Sequence, residues 1–423
     1  MTNQHTNCDK NYHTDHITLP GSGEKSQPFQ SATRGKFSLI DDEISLPAAV
    51  IQQSRLMNNL DWMQRFAAKH NVKLCPHGKT TMTPDFFRQQ LEHGAWGITV
   101  ATAAQAQIAA MVGAKQIIIA NQVIGKANMA ILADLIEQQG VEIYICVDSK
   151  LNVNALGAFF AQRQVTLNLL IEFGVEGGRC GCRNEDQVAE MAQAINKHHY
   201  LSLRGIEVYE GVIGGDNAEQ TIRAFLTQAL TLTRSLKSDQ LIIHKPIVTG
   251  AGSAWYDVVS ECLANLEDVE AIIRPGCYAI HDTGIYLEAQ NKVIARAKKN
   301  QGAACDLGGD LQSSLEVWAH VISRPEPNKI VAGLGKRDVA FDAGLPIAER
   351  AYRDGQPIEV GKAVTTAVMD QHAFIEIEAD SQLNVGDIIA FSTSHPCLTI
   401  DKWRSIAICD DEYNITHWVE TRF

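Results

Sequence analysis

The chain has 423 residues, 45% hydrophobic and 20% charged, enough for a sizeable core and about two domains. A formal net charge of −12 with no Lys/Arg-rich run argues against a nucleic-acid partner, and no run of eighteen apolar residues offers a membrane span. The opening "MTNQHTNCDKNYHTDH" lacks the charged-then-apolar order of a secretory signal, so the expected compartment is the cytoplasm.

Residues 1–34 are polar and aperiodic and read as a mobile tail. Residues 35–48, ending in "ISLPA", are expected to supply a strand to a distant β domain. A long amphipathic helix follows, with Val50, Leu56, Leu60, Met63 and Phe66 on its apolar stripe. From Asn71, eight short apolar runs alternate with helix-length segments: "VKLC", "WGITVA", "QIIIA", "EIYICV", "TLNLLIEF", "LRGIEVY", "PIVTG" and "EAIIRPG". Runs without strict alternation are strands buried on both faces, as in a parallel sheet. Eight β-α units within residues 49–283 predict a closed (β/α)8 TIM barrel, with a doubly wound open sheet as the rival. Residues 284–423, beginning "GIYLEAQNKVIARAKKN", read as strand-like, which predicts a β-rich second domain. The ten cysteines never form C-x-x-C, and most read as small buried hydrophobes in a reducing compartment.

Barrel chemistry sits at the C-terminal ends of strands. By that rule Lys79, Thr102, Asn121, Asp148, Glu172, Tyr209, "TGAGS" (249–253) and "RPGCY" (274–278) converge on one mouth. Glycine turns after the seventh and eighth strands are where barrels cradle a phosphate with backbone N–H groups. A lysine facing them points to a phosphorylated cofactor held by its amine. Each element also has a plainer reading: Lys79 as a solvated charge, Arg179 as a surface ion pair, Tyr209 as a rim residue. Their conjunction carries the inference. In "SHPCLTIDKW", His395 and Cys397 are two apart. On a strand both would share one face and reach one metal, zinc by preference. The alternative is a buried cysteine beside a turn histidine.

Taken together, "PHGKT" (76–80), "GITVATAAQA" (97–106), "IIIANQVIG" (117–125), "GGRCG" (177–181), "TGAGS", "RPGCYAIHD" (274–282) and "HPC" (395–397) resemble the fold-type III pyridoxal-phosphate enzymes. The similarity is to the group of D-serine dehydratase, D-threonine aldolase and 3-hydroxy-D-aspartate aldolase or dehydratase, and within it to an amino acid deaminase branch. It implies an alanine racemase-type barrel plus a C-terminal β domain, paired as a homodimer. It implies that Lys79 carries pyridoxal 5'-phosphate and is catalytic with Tyr209. Thr249, Gly252, Ser253, Arg274, Gly276 and Cys277 would hold the cofactor, the two glycines, Ser253 and Cys277 at its phosphate. Arg179 would lie near the phenolic oxygen and Tyr209 near the ring nitrogen. His395 and Cys397 would bind a divalent metal, zinc first, with manganese or magnesium as alternatives.

Two departures stand out. The lysine motif continues "KTTM" where relatives have "KTHK", and "IEFGVEGG" puts Phe173 or Gly174 where an acid is usual. Aldolases of the group tend to carry aspartate at the Cys397 position, so the cysteine favours a dehydratase of D-serine or a related D-3-hydroxy amino acid. A retro-aldol lyase on D-threonine or 3-hydroxy-D-aspartate is the alternative. A non-catalytic pyridoxal-phosphate carrier is a third reading, which leaves "HPC" without a use.

Overall fold

The computed structural model describes residues 37–423, so the expected tail at 1–34 lies outside the described residues. All eight apolar runs are strands: Lys73–Leu74, Ile98–Val100, Gln116–Gln122, Glu142–Val147, Leu167–Phe173, Leu201–Val208, Ile247–Gly250 and Glu270–Ile273. Each pairs in parallel with its sequence neighbour from the second onward, and the eighth pairs with the first through Ile272 and Lys73. The segment just past the first strand meets the second strand itself. Thr99 N donates to Pro76 O at 2.8 Å, and His77 bridges Thr99. The sheet therefore curls round on itself, and the barrel is favoured over the open sheet.

Burial on two faces explains the missing alternation. One face packs on the surrounding helices. The other fills the barrel with a plug of Cys75, Ile118, Tyr144, Leu170, Ile247 and Ile272.

The stretch "GIYLEAQNKVIARAKKN" is not strand. It forms a helix, Ile285–Asn300, that buries Gln290, Val293 and Ala297. Those positions follow the 3.6-residue period, and Leu, Glu, Ala, Gln, Lys and Arg dominate the sequence between them. The helix docks on the helix Tyr256–Leu263. Arg296 makes a two-point pair with Asp257 at 2.7 and 2.9 Å, and Tyr256 Oη donates to Gln290 at 2.6 Å. It thus covers the barrel like the helices before it.

The strands of the second region begin at Leu315 and build a largely antiparallel sheet. Ala48–Gln52 crosses into that sheet, antiparallel to Leu315–Trp318 and parallel to Ala407–Cys409. The same five residues run directly into the helix Gln53–Lys69, whose Asn59 donates to Ala279 O at 3.0 Å and Gln312 O at 2.7 Å. The two regions are thereby tied at the level of the barrel mouth. Among the described residues no helix is long and apolar enough to cross a membrane.

Candidate active site

Lys79 lies in a single tight turn, Gly78–Thr80, just past the first barrel strand, with its side chain exposed. The turn after the eighth strand packs directly on it. A Cβ at Gly276 would stand 2.6 Å from His77 O and 2.7 Å from Thr80 Oγ1, so only glycine lets the two turns approach this closely.

The anion-binding groups collect beside this contact. Gly276 N and Cys277 N donate to one oxygen, Ser253 Oγ, at 3.2 and 3.1 Å. Two amides converging on one hydroxyl form, with that hydroxyl, a donor set suited to a phosphate. Gly252 is differently engaged. Its N–H and that of Ala251 donate to the buried Glu210 carboxylate at 2.7 and 3.1 Å. Thr249 Oγ1 is buried without a hydrogen-bond partner among the described residues. Lys79, the Ser253–Gly276–Cys277 cup and the orphaned Thr249 hydroxyl fit pyridoxal phosphate.

Below the turns, above the apolar plug, lies a layer of buried charge. Arg274 was expected at the cofactor. The structure turns it inward, where it pairs with Glu207 and donates to Val208 O at 3.1 Å. Among the described residues Arg274 Nε and Glu207 Oε2 have no hydrogen-bond partner. Glu172 accepts from Gln122 Nε2 at 2.6 Å. Burial, then the nearby Glu207 charge, pushes the Glu172 carboxyl up to about 7. Burial also drives the His77 imidazole well down, with Lys79 and Arg274 adding to the effect, which keeps His77 neutral.

Arg179 links this layer to the mouth. It lies 4.0 Å from Glu172 and stacks 4.4 Å above the Tyr209 ring, so the structure brings those two expected residues together. Gly174 is one of the two residues, with Phe173, that stand where an acid was expected. The Cys180 carbonyl, and then the Arg183 guanidinium that donates to Cys180 O, Gly181 O and Arg179 O, crowd the space a side chain would need at Gly174.

The second region delivers the remaining pair. His395 and Cys397 are not on a strand. The strand Ile388–Ser392 has ended, and Pro396 opens a short helix, Cys397–Ile400. Proline lacks the N–H that a ladder needs and its φ of −65° suits a helix start. The i, i+2 argument therefore fails, yet Cys397 still reaches the mouth. Its Sγ lies 3.6 Å from Thr80 Oγ1, beside Lys79, and 3.3 Å from Cys277 Sγ. Burial raises the Cys277 thiol, but bonds to Cys397, Tyr286, Thr80 and Ser253 outweigh it and bring it to about 7. His395 Nδ1 is 2.8 Å from Asp342 Oδ2.

Among the described residues, the group of three or more ligand-type side chains gathered within 4.8 Å is Cys146, Glu172 and Glu207. Arg274 already supplies the positive charge there, so this cluster reads as a balanced interior layer. His395 and Cys397 form no such three-donor group in this structure.

Two family models cover most of this architecture. One, described as alanine racemase, N-terminal domain, matches residues 51–280, and one described as putative serine dehydratase domain matches residues 314–409. The chain belongs to the alanine racemase N-terminal-domain family. Its relatives in that family include a D-threonine aldolase from Arthrobacter sp., 25% identical over 83% of this chain and 86% of the relative. A solved D-threonine aldolase from Filomicrobium marinum shares the fold with a TM-score of 0.75 at 21% identity, covering 92% of this chain and 97% of that one. D-threo-3-hydroxyaspartate dehydratase from Delftia sp. HT23 superposes with a TM-score of 0.71 at 19% identity, covering 89% and 97%. That dehydratase is also solved as a histidine-to-alanine mutant and, two positions on, as a cysteine-to-alanine mutant in the metal-free form. The family is that of the fold-type III pyridoxal-phosphate enzymes.

Sequence reasoning did not assign Gln122, Glu207, Glu210 or Asp342 to this family site. For Glu207 and Glu210 a signal existed. A carboxylate inside "GIEVYEG", an otherwise apolar run, has to be buried, and a buried charge needs a partner. Asp342 lies in a loop with no such mark.

Proposed function

We propose that the chain is a pyridoxal-phosphate- and metal-dependent dehydratase, a lyase that converts D-serine or a related D-3-hydroxy amino acid to keto acid and ammonia. The observation that carries this reading is the approach of Cys397 to Thr80, which puts the thiol of "HPC" beside the Lys79 turn. A metal donor and a reactive amine in one mouth suit a substrate with a hydroxyl one carbon from its amine. The metal-free cysteine mutant of the relative dehydratase, with a histidine two positions earlier, supports the same assignment for His395 and Cys397.

In this reading Lys79 holds the cofactor, with Ser253, Gly276 and Cys277 at its phosphate. Pyridoxal phosphate, when bound, stabilises negative charge at the substrate's α-carbon. Lys79 Nζ, in the turn beside the cup, is the group that would take the α-proton. Tyr209, held by Arg179, walls the ring. Neutral His77 cannot repel a cationic lysine. His395 and Cys397 would hold the metal, and a divalent ion supplies Lewis acidity toward the leaving hydroxyl. Asp342 fixes His395 Nδ1, which leaves Nε2 as the ligand atom. The thiolate favours zinc over manganese or magnesium. By the family resemblance the working form is a cytoplasmic homodimer.

The relative at 25% identity is a D-threonine aldolase, which keeps the retro-aldol lyase as a second reading. One assay separates them: D-serine, D-threonine and 3-hydroxy-D-aspartate, each with and without EDTA. Keto acid plus ammonia, lost on chelation, is the expected result. Glycine plus aldehyde would replace the dehydratase by the aldolase, and activity indifferent to EDTA would remove the metal.

A further inference from the structure

The metal reading leaves a deficit of ligands. A catalytic zinc ordinarily has three protein ligands and one open position. His395 and Cys397 supply two. The sulfur nearest Cys397 comes from the other region of the molecule. Cys277 Sγ is 3.3 Å from Cys397 Sγ, and Thr80 Oγ1 lies 3.8 and 3.6 Å from the two sulfurs. Two thiolates on one tetrahedral zinc, each bonded at about 2.3 Å, stand about 3.8 Å apart. The pair has only about half an ångström to open.

Cys277 is buried and Cys397 half-buried, so neither is a free surface thiol. Tyr286 lies beside both parts of the set: its ring meets the His395 ring edge-on at 6.3 Å, and its phenol is close enough to Cys277 to affect the thiol electrostatically. The histidine is the piece out of place. Its ring nitrogens and the two sulfurs do not all fall within 4.8 Å of one another, and Asp342 holds the ring. With Nδ1 kept on Asp342, the Nε2 edge of the ring must come closer to the sulfurs to complete the set.

We propose that Cys277 is a third metal donor, giving a His–Cys–Cys site that spans the barrel and the β-rich region, with one position open for substrate. This inference rests on the reading of His395 and Cys397 as metal ligands. Cys277 then has two roles from one residue. Its backbone N–H faces the phosphate cup and its thiolate faces the metal, so the two cofactors share an anchor. A donor set with two thiolates also selects soft ions over magnesium and manganese more strongly than one thiolate does.

Zinc-edge X-ray absorption on the cofactor-loaded, zinc-reconstituted protein counts the sulfurs directly. The expected shell is two sulfurs at about 2.3 Å in the native chain and one in Cys277→Ser. The variant should also lose zinc to a competing chelator more readily, by at least about tenfold in affinity. A native spectrum with a single sulfur overturns the proposal without any variant. So does a Cys277→Ser spectrum that keeps its sulfur count. Failure of the native protein to take up zinc at all, or a native shell unchanged in Cys397→Ser, overturns the underlying metal reading as well. The two failures are therefore distinguishable.

Discussion

The barrel mouth and the β-rich region contribute to the site in different ways. The barrel supplies parts whose positions the sheet dictates: a lysine turn, two glycine turns, and a buried layer of Glu172, Glu207 and Arg274 at the ends of the fifth, sixth and eighth strands. The β-rich region supplies side chains from outside its strands: Asp342 and His395 from loops and Cys397 from the first position of a short helix. The first contribution is built into the fold's stability. The second is added to a scaffold that does not need it. Changes in the barrel layer should therefore disturb folding and cofactor binding, whereas changes in the loop ligands should disturb chemistry alone.

The largest expected effect belongs to Lys79. Its side chain is exposed and makes no packing contribution, so Lys79→Ala should fold normally. It should lose the visible absorbance of bound cofactor on dialysis, and turnover should fall by at least about 10⁴-fold, the upper end of what one acid–base group supplies. A variant that retains both the absorbance and the activity would remove Lys79 from the site.

Next comes the interior layer, where the comparison predicts a folding phenotype. Arg274 is paired with Glu207 in the barrel. Glu207→Leu leaves the guanidinium buried without its counter-ion, a cost of about 3–5 kcal/mol in unfolding free energy. Denaturant titration reads this as a lower midpoint. His395→Ala, measured alongside, should leave the midpoint unchanged while abolishing metal-dependent turnover. If both variants are equally destabilised, the distinction between the two regions is wrong.

A smaller effect is expected at Asp342, which touches the site only through His395 Nδ1. Asp342→Asn should weaken metal affinity by about 10- to 100-fold, as removal of an outer carboxylate usually does. Cofactor absorbance should not change. Metal titration of the reconstituted variant is the check, and unaltered affinity would make the Asp342 contact incidental.

The same contrast explains what could be read in advance. Strand positions were legible because a strand buried on both faces writes a continuous apolar run, as "EIYICV" does at Glu142–Val147. Strand-end residues such as Lys79 and Tyr209 followed from those positions. The helix Ile285–Asn300 was misread because its polar face interrupts the apolar residues, leaving a weak pattern that Ile285, Tyr286 and Val293 made look strand-like. Arg274 was placed at the mouth correctly by strand count, but its direction depends on Glu207, a partner 67 residues away. "HPC" was recognised by motif while its geometry was not, because Pro396 converts a strand into a helix start. The 3.3 Å approach of Cys277 to Cys397 joins residues 120 apart and has no local sequence signal.

The smallest predicted effect tests whether the interior layer is felt in solution. The folded chain holds the Glu172 carboxyl at about 7, against an ordinary value of 4.5, through burial first and the Glu207 charge second. A raised pKa means the native state keeps a proton that the unfolded chain gives up. The stability this group contributes is therefore fully present below pH 4.5 and is lost as pH rises through about 7. Gln122 and Arg179 both bear on the ionised form, so the loss should be a fraction of the Glu207→Leu effect. Glu172→Gln keeps the shape and removes the titration. Its stability relative to the native chain should improve between pH 5 and pH 8, read from denaturation midpoints at the two values. Parallel pH profiles for the two proteins would mean that Glu172 stays ionised across this range, and that Arg179 rather than burial sets its charge.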